Sequence, residues 1–561
     1  MYRVLPVLLL LAATASGARQ TEPRQPDSPL HGYVLGRYAF ADDELSKAAR
    51  YFDLARSQDP GRQALTRRTF ETALASGDRV LATDLARQLT AEGDADSDVA
   101  MLRLTDAVLR KDWTGVAIAK SGIATAGYAA VVAPIVDAWT LFGRGKPVEA
   151  LAALDPAAFS GFARSYVVEQ RAHMLAATGQ WAEAAAAYSE LRAGTGAGIT
   201  FLRQGEADAL AQGGDRAGAL KLLQGDDPTL VAARRRLEAG KRIGALAPDP
   251  RRGIGWMAAR LASDLSREQP VPLALLFGRV GTFLAPDVMA TWLICGDVLA
   301  RTGQRDSALL AYAQVPPGDA LAVAARLRSA EVLEALGRGD DAGAVLKAAV
   351  TAPAASADDW TRLGDWHRRA DRFADAATAY GQALAVTGEA NAGWGLFFLR
   401  GSMFERGGDW PRAEADLREA LLRSPDEPVV LNYLGYSMLD REPTPATATE
   451  AAILIERAAK LRPGDGGIID SLGWSQYRQG KFADAVASLE KAQALEPTDP
   501  TVTEHLGDAL WQVGRRIEAR FRWRAALDLE PSAVQRKSLT SKLDVGLDAA
   551  LAMAATTTNA R

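Results

Sequence analysis

The chain has 561 residues, of which 48% are apolar and 24% charged, with a formal net charge of −4. That mild acidity leaves no electrostatic footprint for nucleic acid. The single cysteine, Cys295, excludes an intramolecular disulfide; it falls on an apolar core position, where a thiol is inert.

Residues 1–18 differ in kind from the rest. Arg3 precedes an apolar run from Val4 to Ala13, followed by small residues through Ala18. The run is too short to span a bilayer and reads as a cleaved secretory signal, cut after Ala15 or Ala18, with an uncleaved anchor or a misplaced start as the alternatives. No cysteine follows the run, so lipid attachment at the cleavage site is not available and membrane association is not expected. The expected location is therefore the periplasm, as an exported soluble protein. Residues 19–29 are polar and proline-bearing and read as a flexible leader, with structure beginning near His31.

The remainder follows one pattern, clearest from Ser471 to Pro531. Leu472-Gly473 recurs as Leu506-Gly507, Gly480 as Gly514, Ala485 as Ala519, Ala492 as Ala526 and Pro497 as Pro531. Carried backwards, the Gly473 position has equivalents at Gly36, Phe70, Leu104, Ala138, Ala172, Ala207, Ala262, Gly296, Ala330, Gly364, Gly401 and Gly435. Nine of the thirteen intervals are 34 residues, and twelve of the fourteen anchors are Gly or Ala, as close helix packing requires. Twelve residues on, where a second helix would cross the first, alanine recurs from Ala48 to Ala519, with Val116 the exception; after Gly435 the corresponding Ala451 comes four residues later, beyond an insertion. Six prolines, Pro60, Pro286, Pro425, Pro463, Pro497 and Pro531, close second helices.

In chain order, residues 30–226 read as an N-terminal array whose second to sixth repeats are degenerate. Residues 227–253 hold a 21-residue surplus, expected to form an extra helix over Leu230–Ala239 and a joint between two halves. Residues 254–531 read as a C-terminal array. Short insertions are expected as loops near Gly388–Ala392 and Glu442–Glu450. Residues 532–552 read as a capping helix with its polar side outward, and 553–561 as a disordered tail.

No convergent chemistry stands out. His31, His173, His367 and His505 are scattered, without metal-ligand spacing, and there is no GxSxG, phosphate loop or dinucleotide motif. No catalytic residue, metal or cofactor is therefore expected. A carboxylate pair across a groove could not be recognised from sequence. The concave face of the first helices is the better candidate, as a groove for a protein or an extended peptide. It carries Phe398, Asn432, Tyr433, Tyr436, Asp470, Trp474, Tyr477, Arg478, Glu504, Asp508 and Trp511. Aromatic residues with Arg are the composition of interface hot spots, although the same rings could fill space between helices. Asn432, Asp470 and Glu504 recur at one position and form a polar ladder that could bond a peptide backbone or simply face solvent. The basic cluster Arg234–Arg252 reads mainly as a solvated face, with docking of an acidic partner or an anionic membrane surface as the alternative; Arg515–Arg524, interleaved with Phe521 and Trp523, superficially resembles a nucleic-acid site, but Trp523 falls on a core position.

The whole chain after the leader resembles the tetratricopeptide-repeat (TPR) family, most closely from Trp292 to Pro531. The resemblance implies an all-α, right-handed superhelical solenoid of about fourteen helix pairs with a C-terminal capping helix. GRYAFADDELSKAARYFDLA near the start, with DSLGWSQYRQGKFADAVASLEKA and EHLGDALWQVGRRIEARFRWRAAL near the end, look like the long TPR proteins of Gram-negative bacteria. One of that group is a lipoprotein adaptor that brings a periplasmic carboxyl-terminal processing protease to its substrates. The lipidated cysteine of that adaptor has no counterpart here. The resemblance implies a non-enzymatic scaffold for protein partners, including such a protease or its substrates. The alternatives are a cell-wall-modifying hydrolase with carboxylates inside the superhelix, or a cytosolic regulatory module.

Overall fold

A computed structural model describes residues 28–558 apart from 95, 124–126, 195–198, 226, 245, 268–270, 352–354 and 442–443. The expected signal peptide, residues 19–27 of the leader and residues 559–561 of the tail lie outside the described residues. Helix begins at Pro29, capped by the Ser28 hydroxyl. Among the described residues there are thirty-one α-helices, two 3-10 turns and no strand.

Twenty-eight of these helices run as fourteen first-and-second pairs. Every anchor lies in a first helix, from Gly36 in Pro29–Ala41 to Gly507 in Pro500–Gln512. Local chemistry starts and stops them. Asp78, Asp112, Asp215 and Asp409 each accept a hydrogen bond from a backbone N–H in the first turn of a second helix. Gly480 and Gly514, with φ of 75° and 84°, supply the left-handed residue of the turn between helices. The crossing residues from Ala48 to Ala519 are all buried, Val116 included. At the glycine anchors there is no room for a side chain. A Cβ at Gly473 would stand 2.5 Å from Leu489 Cγ, and one at Gly507 2.5 Å from Trp523 Nε1. The anchor thus receives the side chain sixteen residues later.

The structure departs from expectation at three places. The insertion near Gly388–Ala392 forms the 3-10 turn Glu389–Asn391, but the one expected as a loop at Glu442–Glu450 is mostly helix. Thr444 caps Pro445–Leu461, so the extra residues lengthen a second helix at its start, where proline is tolerated. The cap is two helices, Ala533–Val545 and Leu547–Thr558, because Gly546 adopts a φ of 85° that ends the first. The helix therefore also covers 553–558, where a disordered tail was expected.

The chain forms two compact units, divided at Val345 and Leu346. The segment 227–253 does contain the extra helix, Pro228–Glu238, but it lies within the first unit. There it carries the chain back. The pair Pro250–Leu265 and Val271–Leu284 packs across the first helices Gln63–Ser76, Ser97–Leu109, Ala129–Gly143 and Gly161–Ala177. One core of buried residues runs from Leu45 to Val332.

Polar bonds lock this return. A Cβ at Gly253 would run into the Trp139 indole, so only glycine permits the approach. Trp256 Nε1 donates to Glu169 at 2.8 Å, and Arg260 pairs with the same carboxylate at 3.1 Å. Burial alone would raise the Glu169 pKa, but the Arg260 guanidinium, His173 and the Trp256 hydrogen bond together outweigh it and hold the carboxyl below its ordinary value. Arg279, buried, donates through Nε to the Ala75 carbonyl at 3.1 Å. That carbonyl lies in the last turn of Gln63–Ser76, where helical partners run out. The Asp43 carboxylate accepts from the Asp306 amide at 2.6 Å and the Ser307 hydroxyl at 3.2 Å, capping Arg305–Tyr312.

Replacing Arg279 with Met keeps the stem and removes these donors. The expected cost is roughly 2 kcal/mol, the scale of a charged hydrogen bond to a buried carbonyl. Hydrogen exchange should quicken together in Gln63–Ser76 and Val271–Leu284; protection unchanged in both would show that the bond does not hold the return.

Candidate functional site

In the second unit three first helices lie side by side: Trp394–Arg406, Pro428–Asp440 and Gly466–Arg478, followed by Pro500–Gln512. Acidic caps start the last three. Glu427, Asp465 and Asp499 each accept from first-turn amides. Their shared start brings the same register positions level, and a cleft of about 580 Å³ opens over them. Of the expected groove residues, Asn432, Tyr433, Tyr436 and Asp470 line it together. Tyr433 donates its hydroxyl to Glu405 at 3.0 Å, and Glu405 also pairs with Arg441 at 2.7 Å. Phe398 packs edge-on against Tyr433, with ring centroids 5.4 Å apart.

The remaining expected residues sit elsewhere. Trp474 is sandwiched, stacked on Tyr477 at 4.8 Å and on His505 at 4.2 Å. Arg478 is exposed. Trp511 lies against Trp523 and donates its Nε1 to Asp548 at 3.0 Å, with the Arg516 guanidinium over its ring. These rings fill space between helices.

The polar ladder is corrected in the same way. Asp470 and Glu504 are buried and bonded to residues of the following repeat, so they form no free row of acceptors. His505 Nδ1 lies 3.0 Å from both Asp470 oxygens. Lys542, from the cap, reaches Glu504 at 2.6 Å and Asp508 at 2.7 Å, and Ser538 donates to Glu504 at 3.0 Å. Asp508 also accepts from Trp523 Nε1 at 2.9 Å. One ammonium cannot neutralise both carboxylates, and burial holds Asp508 above the ordinary aspartate value. Burial would by itself lower the His505 pKa, yet Asp470, with Asp508 and Glu504 behind it, raises it above the ordinary histidine value.

Sequence reasoning missed Lys542 and His505, although a signal existed. Residues one repeat period apart are neighbours, so Asp508 faces Lys542 and Glu504 faces Ser538 at a separation of 34. Asp470 faces His505 at 35. Opposite charges at that spacing mark partners across adjacent repeats.

In the first unit the returning pair covers part of the first-helix face. Its basic segment has structural work. Arg234 donates to the Leu223 carbonyl at 2.9 Å, Arg251 to the Leu284 carbonyl at 2.8 Å, and Arg252 pairs with Asp287. In the second cluster Arg515 pairs with Glu518 at 2.5 Å and Trp523 is fully buried.

A family model described as "Tetratricopeptide repeat" matches residues 361–428 and 471–533, inside the second unit. The matched segments coincide with helix pairs whose anchors and crossing alanines are packed as described above. Residues 361–428 and 471–533 are therefore tetratricopeptide repeats. TPR arrays present extended concave surfaces that bind other proteins. A TPR repeat-containing protein of Pseudomonas aeruginosa is 38% identical over 185 residues, which is 32% of this chain and 30% of that protein's length. Among solved structures, a TPR protein from Parabacteroides merdae matches at 14% identity and a TM-score of 0.37, over 45% of this chain and 96% of that one. A TPR protein from Thermus thermophilus matches at 20% identity and a TM-score of 0.30, over 34% of this chain and 99% of that one.

Because the folded-state pKa of His505 is raised, its ion pair with Asp470 contributes fully below the unfolded value of about 6.5 and is lost as pH rises through the higher folded value. The melting temperature of the protein should therefore fall, relative to that of His505→Asn, as pH rises above about 6.5. Parallel profiles for the two proteins would show that the pair contributes nothing.

Proposed function

We propose that this TPR protein is a non-enzymatic, exported scaffold that holds extended segments of protein partners in the cleft of its second unit. The observation that carries the reading is the cleft itself, where Asn432, Tyr433 and Tyr436 line open space that no segment of the second unit fills among the described residues. Aromatic rings beside polar groups in a concave site are what interface hot spots are made of. The periplasm as its location rests on the character of residues 1–18. A processing protease or its substrates as partners rest on the resemblance to long Gram-negative TPR proteins.

Tyr436→Ala combined with Asn432→Ala should weaken partner capture by about thirtyfold, on the order of 2 kcal/mol, with helicity intact. The check compares proteins retained from a periplasmic extract by the wild-type and variant chains; identical retention at equal helicity removes the cleft from the reading. Trp474→Ala is the contrasting variant. Its ring is packed between Tyr477 and His505, so it should lower the melting temperature. Export is checked by fusing residues 1–30 to a reporter active only outside the cytoplasm, and a silent reporter overturns the location.

A further inference from the structure

The chemistry of the same cleft selects what kind of segment it holds, and this inference rests on the groove reading above. Four carboxylates line it, Glu405, Asp440, Asp470 and Asp499, against one guanidinium, Arg406. Most of these charges are spent within the protein. Glu405 is bonded to Arg441 and Tyr433, and Asp470 to His505. Asp499 accepts the Thr501 amide at 2.6 Å, and Arg406 pairs with Asp371 at 3.2 Å.

Two groups are left over. Asp440 is exposed and has no hydrogen-bond or ion-pair partner among the described residues, and the same holds for the Tyr436 hydroxyl. Asp440 is the last residue of Pro428–Asp440, where the carbonyls of the helix end add negative potential, although Arg441 donates to that of Ser437 at 2.8 Å. Burial, with the Asp440 and Asp470 charges, pushes the Tyr436 pKa up to about 12, so its ring stays neutral and its hydroxyl protonated. A neutral aromatic face beside an unpaired carboxylate is a site for a cation on an apolar stem. Arg478 also acts on Tyr436, but it is exposed and lies outside the cleft wall.

We infer that this cleft takes a lysine or arginine side chain of an extended partner segment, with the cation at Asp440 and its stem along the Tyr436 ring. Specificity then comes from charge at one point, and the neighbouring polar wall is indifferent to sequence. A glutamate at the same place would face Asp440 and the helix end and be rejected.

The test uses the full chain and three fluorescent octapeptides in which alanine alternates with lysine, glutamine or glutamate, followed by anisotropy. The lysine peptide should bind roughly tenfold more tightly than the glutamine peptide, with the difference shrinking as salt screens it. Asp440→Asn should remove the difference, Asp440→Lys should turn the preference towards the glutamate peptide, and Arg478→Gln should strengthen lysine-peptide binding. Equal binding of lysine and glutamine peptides, a lysine preference that survives both Asp440 variants, or no binding of any peptide overturns the inference. If the peptides bind equally but Tyr436→Ala abolishes binding, the groove reading stands and only its selection for a cation falls.

Discussion

The fit of one side chain onto a bare glycine anchor, found in half of the helix pairs, is the constraint from which much of the structure follows. Leu489 lies on Gly473, Trp523 on Gly507, Tyr312 on Gly296 and Tyr380 on Gly364, each with no space for a Cβ between. That contact sets how closely two helices approach, hence their crossing, hence where the next pair begins. In an array each pair leans only on its neighbours, so a displacement at one anchor is passed along the chain. Where the incoming ring is polar it needs a partner, and the residue after the anchor provides it. Tyr312 donates to Asp297 at 2.9 Å, Tyr380 to Asp365 at 2.8 Å and Trp523 to Asp508 at 2.9 Å. Carboxylates at this position, on a face that could be taken for an open groove, complete the packing of the second helix.

The two units use the same pair to different ends. In the first, the chain leaves the array after the sixth pair, runs through Pro228–Glu238, and lays Pro250–Leu265 and Val271–Leu284 across the first helices of earlier repeats. A surface that an array would offer to a partner is occupied by the protein's own chain and becomes a single core. In the second unit the face is closed at its C-terminal end, where Lys542 reaches in to Glu504 and Asp508. Between that seal and Trp394–Arg406 the cleft lies open.

The ionic clusters fit this division. Burying Lys542 between two carboxylates costs desolvation that the attraction offsets only when the geometry is satisfied, so such a cluster specifies register more than it adds stability. It matches the cap to the last repeat and to no other, because no earlier repeat presents two acidic residues at Glu504 and Asp508 spacing with a lysine one period on. Trp474, pressed between Tyr477 and His505, serves the joint before it, and its value lies in holding the last two repeats together.

The fourteen pairs, their anchors and their crossing alanines were all legible in the residues, since helix periodicity and the 34-residue step are local properties written into each repeat. Asn432, Tyr433 and Tyr436 could be placed on the cleft for the same reason. Asp440 could not, because nothing local distinguishes the one carboxylate left unpaired from those that find partners. The tertiary structure alone decided which faces stay open. Arg279 meets Ala75 across 204 residues and Asp43 meets Ser307 across 264, and no repeat pattern encodes contacts at such distances. They depend on where the chain turns back, which is set by a close approach of Gly253 to Trp139 that exists only once both are folded.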